Sequence, residues 1–132
     1  MRTHFLILTL AVSIVLVGCA TGQASTQHRI PARFHGDWSS DLARCGDRES
    51  GRNLRIDANS ITYFEAGDTV VATAPLPNGG ISVLVDHEDY DGMGRLHRIL
   101  VLSDNDQKLS FINDDTPGDV VLRCPQGNTD VR

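Results

Sequence analysis

Short apolar runs, each closed off by Gly, Asn, Asp or Pro, follow one another from Asn53 to Cys124 and leave little freedom in the choice of fold. Leu54 and Ile56 share one face of Asn53–Asp57, and Asn59-Ser60 turns the chain into Ile61–Glu65. Ala66-Gly67-Asp68 reads as a further turn into Thr69–Ala74, and Pro75–Gly80 as a loop. Ile81–His87 places Ile81, Val83, Val85 and His87 on one face. A polar connection over Glu88–Gly94 leads to the long run Arg95–Leu102, and Asp104-Asn105-Asp106 turns into Gln107–Ile112. Asn113–Gly118 turns again into Asp119–Cys124. β-branched residues bounded by turn formers are the signal for strands. With one more near Trp38, the spacing predicts about eight strands. No stretch after Cys19 keeps a helical period, and Asp41–Arg48 holds at most one short helical turn. Hairpin-linked strands of similar length predict an all-β fold, a small antiparallel up-and-down barrel or else a small sandwich, and closure into a barrel would remove the exposed sheet edges.

The N-terminal part is of another kind. Met1-Arg2 is a short positive start, and Phe5–Val17 is apolar except for Thr9 and Ser13. That run is shorter than the roughly 20 residues a membrane span needs, and it fits the apolar core of a secretory signal. Leu16-Val17-Gly18-Cys19 resembles the lipobox of bacterial lipoproteins. The resemblance implies cleavage of residues 1–18, lipidation of Cys19 with diacylglycerol and a further acyl chain such as palmitate, and stable anchoring through several chains. Ala20, where the enterobacterial pattern has aspartate for inner-membrane retention, implies the outer membrane, with the domain facing the periplasm. Ala20–Arg29 lacks large apolar residues and reads as a tether. The expected layout is therefore a signal peptide at 1–18, lipidated Cys19 and tether at 19–32, a barrel at 33–126 and a tail at 127–132.

Cysteine usage agrees with that compartment. Of three cysteines, lipidation takes Cys19, which leaves Cys45 and Cys124 as an even pair where disulfides form. Neither has a second Cys or His close by, so no zinc site is expected. Loss of Arg2 takes the formal charge from -5 to -6. A scattered acidic surface argues against nucleic acid and suits a cationic partner.

Phe34-His35-Gly36-Asp37-Trp38 contains Gly-x-Trp just before the strands, and Val121-Leu122-Arg123-Cys124 ends them with an arginine. These residues resemble the lipocalin-like (calycin) barrels. The resemblance implies that Trp38 seals one barrel end, with Gly36 before it and Arg123 lying across the indole. It also implies a small apolar molecule or lipid as ligand. Ile56–Glu65 and the terminal Arg123-Cys124 are similar to small exported proteobacterial proteins, which supports the fold and supplies no activity.

The densest polar cluster is Asp86-His87-Glu88-Asp89-Tyr90-Asp91, with His97 nearby. Carboxylates with imidazole are cation-ligating chemistry, but the spacing lacks the EF-hand register, so His87, Glu88, Asp89 and Asp91 read as a binding loop without metal. His87 and Glu65 lack a nucleophile or oxyanion hole, and no Gly-x-Ser-x-Gly occurs, so no enzyme and no cofactor are expected. The leading expectation is a non-catalytic outer-membrane lipoprotein binding an apolar ligand. The alternatives are a structural envelope component and a protein-binding module such as the periplasmic lysozyme inhibitors. Those inhibitors carry a Ser-Gly-x-x-Tyr loop, which Asp91–Arg95 does not match.

Overall fold

The structure of the protein, a computed structural model, describes residues 26–113 and 116–126. The expected signal peptide at 1–18, Cys19, the first part of the expected tether, Asp114-Asp115 and residues 127–132 lie outside the described residues. Eight strands run β1 (Gly36–Ser39), β2 (Asn53–Ile56), β3 (Ser60–Tyr63), β4 (Ala66–Pro75), β5 (Ile81–Asp89), β6 (Gly92–Ser103), β7 (Lys108–Asn113) and β8 (Thr116–Arg123). Each pairs antiparallel with the next, and β8 pairs with β1, which closes an up-and-down barrel. This is the all-β architecture expected from the runs. Short 3-10 turns cover Ala32–Phe34 and Leu42–Arg44, the second within the stretch where one helical turn was expected.

Alternation along each strand fills the barrel. Trp38, Leu54, Ile56, Ile61, Val83, Val85, Leu100, Leu109, Phe111 and Val121 point inward and form one buried cluster with Ile30 and Phe34. A barrel of about eight strands is just wide enough to be filled by side chains or to hold one small ligand, and here these side chains form one contiguous buried cluster. Two bulges adjust the fit, one in β4 between Val70 and Ala72 and one where β7 meets β8 beside Phe111. At the second bulge Gly118 lies so close to the Phe111 carbonyl that no other residue fits there.

Three expectations at strand ends are corrected. The turn after β3 is Phe64-Glu65, with Glu65 at φ 57°, and Ala66-Gly67-Asp68 belongs to β4. The Glu88–Gly94 connection is almost all strand, since Glu88 pairs with Met93 and Asp89 with Gly92, leaving Tyr90-Asp91 as the turn. Gly67 and the inward Asp68 in the first place, and outward polar residues such as Glu88 in the second, lend strand the composition of a loop, and pairing with neighbours outweighs it. The third concerns the tether at 19–32, because its last residues are docked on the barrel. β3 covers β4 only as far as Thr69, so the edge of β4 beyond it would lie bare. Gln27 covers that edge by exchanging backbone hydrogen bonds with Thr73 (3.1 and 2.6 Å), and His28 Nδ1 donates to the Val71 carbonyl (2.7 Å). Ile30 is then buried at 2 % exposure, and its N–H donates to the Ala58 carbonyl. Unpaired edge groups and one apolar side chain thus extend the folded domain back to Gln27.

Gly36, Trp38 and Arg123 sit together where the docked segment crosses one end of the barrel. Arg123 stacks on the Trp38 ring at 4.1 Å. Its guanidinium donates to the carbonyls of Asp106 (2.8 Å), His35 (2.7 Å) and Arg33 (2.7 Å). Trp38 Nε1 donates to the Phe34 carbonyl at 3.0 Å, and both rings are fully buried. Gly36 has φ 128°, and a Cβ there would stand 3.3 Å from Arg123 Nη1, so this position takes glycine on two counts. The next turn, Asp104-Asn105-Asp106, places all three residues in the left-handed region, which Asp and Asn tolerate best among residues with a Cβ. Arg123→Lys keeps the charge but has one ammonium where three carbonyls need donors. It is expected to lower the unfolding free energy by about 1–2 kcal/mol in urea denaturation.

Candidate functional site

The opposite barrel end is built differently. There β3, β4, β5 and β6 each turn a polar side chain inward: Tyr63, Asp68, His87 and Arg98. The Asp68 side chain is fully buried, and its carboxylate accepts from Tyr63 Oη (2.7 Å), His87 Nδ1 (2.6 Å), Arg98 Nε (2.9 Å) and Arg98 Nη2 (3.2 Å). Arg98 Nη1 donates to Asn113 Oδ1 at 2.8 Å, its register partner on β7. The guanidinium also lies 5.7 Å from the Phe111 ring centroid. Burial works against the Arg98 charge, but the hydrogen bonds to Asp68 and the charge of that carboxylate hold its pKa above the ordinary value. Such a buried pair is stable only when every donor and acceptor is met, as here.

The Tyr63 phenol is pushed far above its ordinary pKa, by burial first and then by the Asp68 charge and the hydrogen bond to it; Arg98 opposes this. The folded state therefore keeps the proton that the unfolded chain releases above about pH 10. Stability contributed by this group is whole below that pH and falls above it by up to about 1.4 kcal/mol per pH unit. Urea denaturation between pH 9 and 11 is expected to show this slope, and Tyr63→Phe is expected to remove its share.

His87 is not in a loop. Its Nδ1 faces Asp68, and its Nε2 lies 3.2 Å from Asp89 Oδ2. Its carboxylate neighbours are thus Asp68 and Asp89, while Glu65 stands in the β3–β4 turn. Asp89 also accepts from the backbone N–H of Asp91 (2.8 Å) and Gly92 (3.2 Å). These bonds, the Asp91 amide first and His87 next, hold its carboxyl below the usual range. Asp91 lies in the hairpin turn, Glu88 points outward, and His97 is exposed opposite Leu84. The expected loop is therefore divided: His87 joins the interior cluster, Asp89 bridges to it, and Glu88 and Asp91 stay on the surface. Asp68 and Arg98 were missing from the expected site. Their signal was that each takes an inward slot in an otherwise apolar phase, two residues before Val70 and Leu100 respectively. The Asp68 carboxylate accepts from three side chains at once, and the cluster ties β3, β4, β5 and β6 together at this end of the barrel. Among the described residues no group of three or more His, Cys, Asp or Glu is placed to hold a metal ion.

Outside the barrel, the registers align Thr62, Gly67, Glu88 and Met93 in one row across β3 to β6. The next row is Ser60, Thr69, Asp86 and Arg95. Gly67 leaves a gap in the middle, and a groove of about 670 Å³ opens over it, bounded by Glu65, Asp86, Glu88, Tyr90 and Met93. Arg95 is held by Asp86 (2.8 and 3.2 Å), which lowers the pKa of that carboxyl and raises that of the guanidinium. Tyr90 is 99 % and Met93 75 % exposed. A second groove of about 540 Å³ lies beside the loop tied down by the Cys45–Cys124 disulfide, lined by Asp37, Asp47, Arg48, Arg55 and Phe64. Comparison with family models, with curated proteins and with solved structures found no match.

Proposed function

We propose that this chain is a non-catalytic, lipid-anchored envelope protein whose barrel works by binding at its outer surface. The observation that carries this reading is the filled interior, with apolar side chains packed from the Trp38 end to the Asp68–Arg98 cluster. The lipocalin-like architecture goes with carriage of an apolar molecule or lipid, yet this interior is occupied by the protein's own side chains. The groove over Gly67 opens on the outer face of β3 to β6, and the second opens beside the disulfide-bonded loop, where Trp38, Leu54 and Tyr63 also line it.

The lipobox residues Leu16–Cys19 support anchoring at the outer membrane with the barrel in the periplasm. Under that reading the chain leaves the anchor and meets the barrel at Thr73, near the Trp38-sealed end. The Tyr90-Asp91 turn stands at the other end, away from the anchor. The acidic surface does not suit nucleic acid.

Two experiments test the two halves. Cys19→Ser is expected to move the protein from the membrane fraction to an unprocessed or soluble form, and unchanged membrane partition contradicts lipidation. A photo-crosslinking residue at position 90 in intact cells is expected to give a discrete protein adduct, while one at position 105 gives none. Absence of an adduct at position 90 contradicts surface binding at this end.

A further inference from the structure

We propose that the groove over Gly67 docks a cationic segment of a partner protein, a Lys or Arg flanked by an apolar side chain. This rests on the surface-binding reading and names the partner's chemistry. The groove joins two features that rarely sit together on a surface without a use. The first is apolar: Tyr90 and Met93, both large, stand out into water beside a floor that has no side chain at Gly67. A Cβ at Gly67 would meet nothing nearer than the Ile61 carbonyl at 3.9 Å, so the floor has room.

The second is charge. Glu65, Asp86, Glu88 and Asp89 border the groove. Arg95 answers only Asp86, and His87 with two backbone amides engages Asp89. Glu65 and Glu88 make no ion pair among the described residues. Their potential therefore points outward, complementary to a cation, while Tyr90 and Met93 supply apolar contact on the same side. Tyrosine and methionine are residue types enriched where proteins dock, and here they share the border of the groove with the carboxylates. Anionic lipid is disfavoured by the same carboxylates.

The test uses the disulfide-bonded mature chain, labelled for amide NMR, and a synthetic peptide probe, acetyl-Gly-Lys-Leu-Lys-Leu-Gly amide. Two control peptides carry Glu for Lys or Ser for Leu. Amide shifts are expected to cluster at Thr62, Gly67, Glu88, Tyr90 and Met93, with both controls at least about tenfold weaker. Raising salt from 50 to 300 mM is expected to weaken binding several-fold. Glu88→Lys and, separately, Met93→Ser are each expected to weaken binding about tenfold with an unchanged melting temperature, since both side chains are exposed. Shifts scattered over all acidic surfaces, or equal binding by Glu88→Lys, overturn the proposal. A protein adduct from position 90 together with no peptide binding overturns the cationic partner and leaves surface binding standing. Loss of both overturns both.

Discussion

Asp68→Ala is expected to lower the unfolding free energy by about 3–5 kcal/mol, because it removes one partner of a buried ion pair and leaves the other charge in place. Arg98 would lose both bonds from Nε and Nη2, and its side chain is only 6 % exposed, so water cannot replace them without opening the barrel end. Tyr63 and His87 would lose their acceptor in the same step. Replacing both charges avoids that penalty. Asp68→Leu combined with Arg98→Met is expected to be markedly more stable than the sum of the single changes, since no orphaned charge remains. Urea denaturation of the four proteins of this cycle gives the coupling directly. Additive effects would mean that the pair does not lock this end.

Replacing Cys45 and Cys124 with Ser is the other large effect. The bridge joins residues 79 positions apart, so reduction frees most of the folded chain from a constraint on its unfolded state. The chain-entropy relation gives about 4 kcal/mol for such a loop. The bridge also pins the loop between β1 and β2, where Asn53 Nδ2 donates to the Arg44 (2.6 Å) and Asp47 (2.7 Å) carbonyls. A domain of this size has a total stability of about 5–15 kcal/mol, so loss of the bridge is expected to remove about a quarter of it or more. An unchanged urea midpoint after reduction would contradict this.

The strands were legible because two local signals agreed, an apolar residue at every second position and Gly, Asn or Asp where each run stops. Legibility ended where an inward position carried a charge. Asp68 read as part of a turn because Ala66-Gly67-Asp68 has turn composition, and only β3 and β5 on either side show it to be strand. Arg98 was visible inside the longest run, but its partner lies 30 residues earlier, and no local pattern joins the two. The docking of Gln27 to Thr73 is hidden for the same reason: it answers a bare strand edge 46 residues away. By contrast Gly36, Trp38 and Arg123 were read together through the resemblance to lipocalin-like barrels, since no local pattern joins positions so far apart in the sequence. The groove over Gly67 was half legible. Its carboxylates stood out, but the gap that Gly67 leaves between Thr62 and Glu88 exists only in the register.

Native mass spectrometry of the mature chain, exported to an oxidising periplasm and purified gently, tests most directly whether this barrel binds with its surface or its interior. The expected result is a bare polypeptide two hydrogens lighter than the reduced form, with no small molecule released on unfolding. A stoichiometric apolar molecule that leaves only when the barrel unfolds would contradict the filled interior and make the protein a carrier.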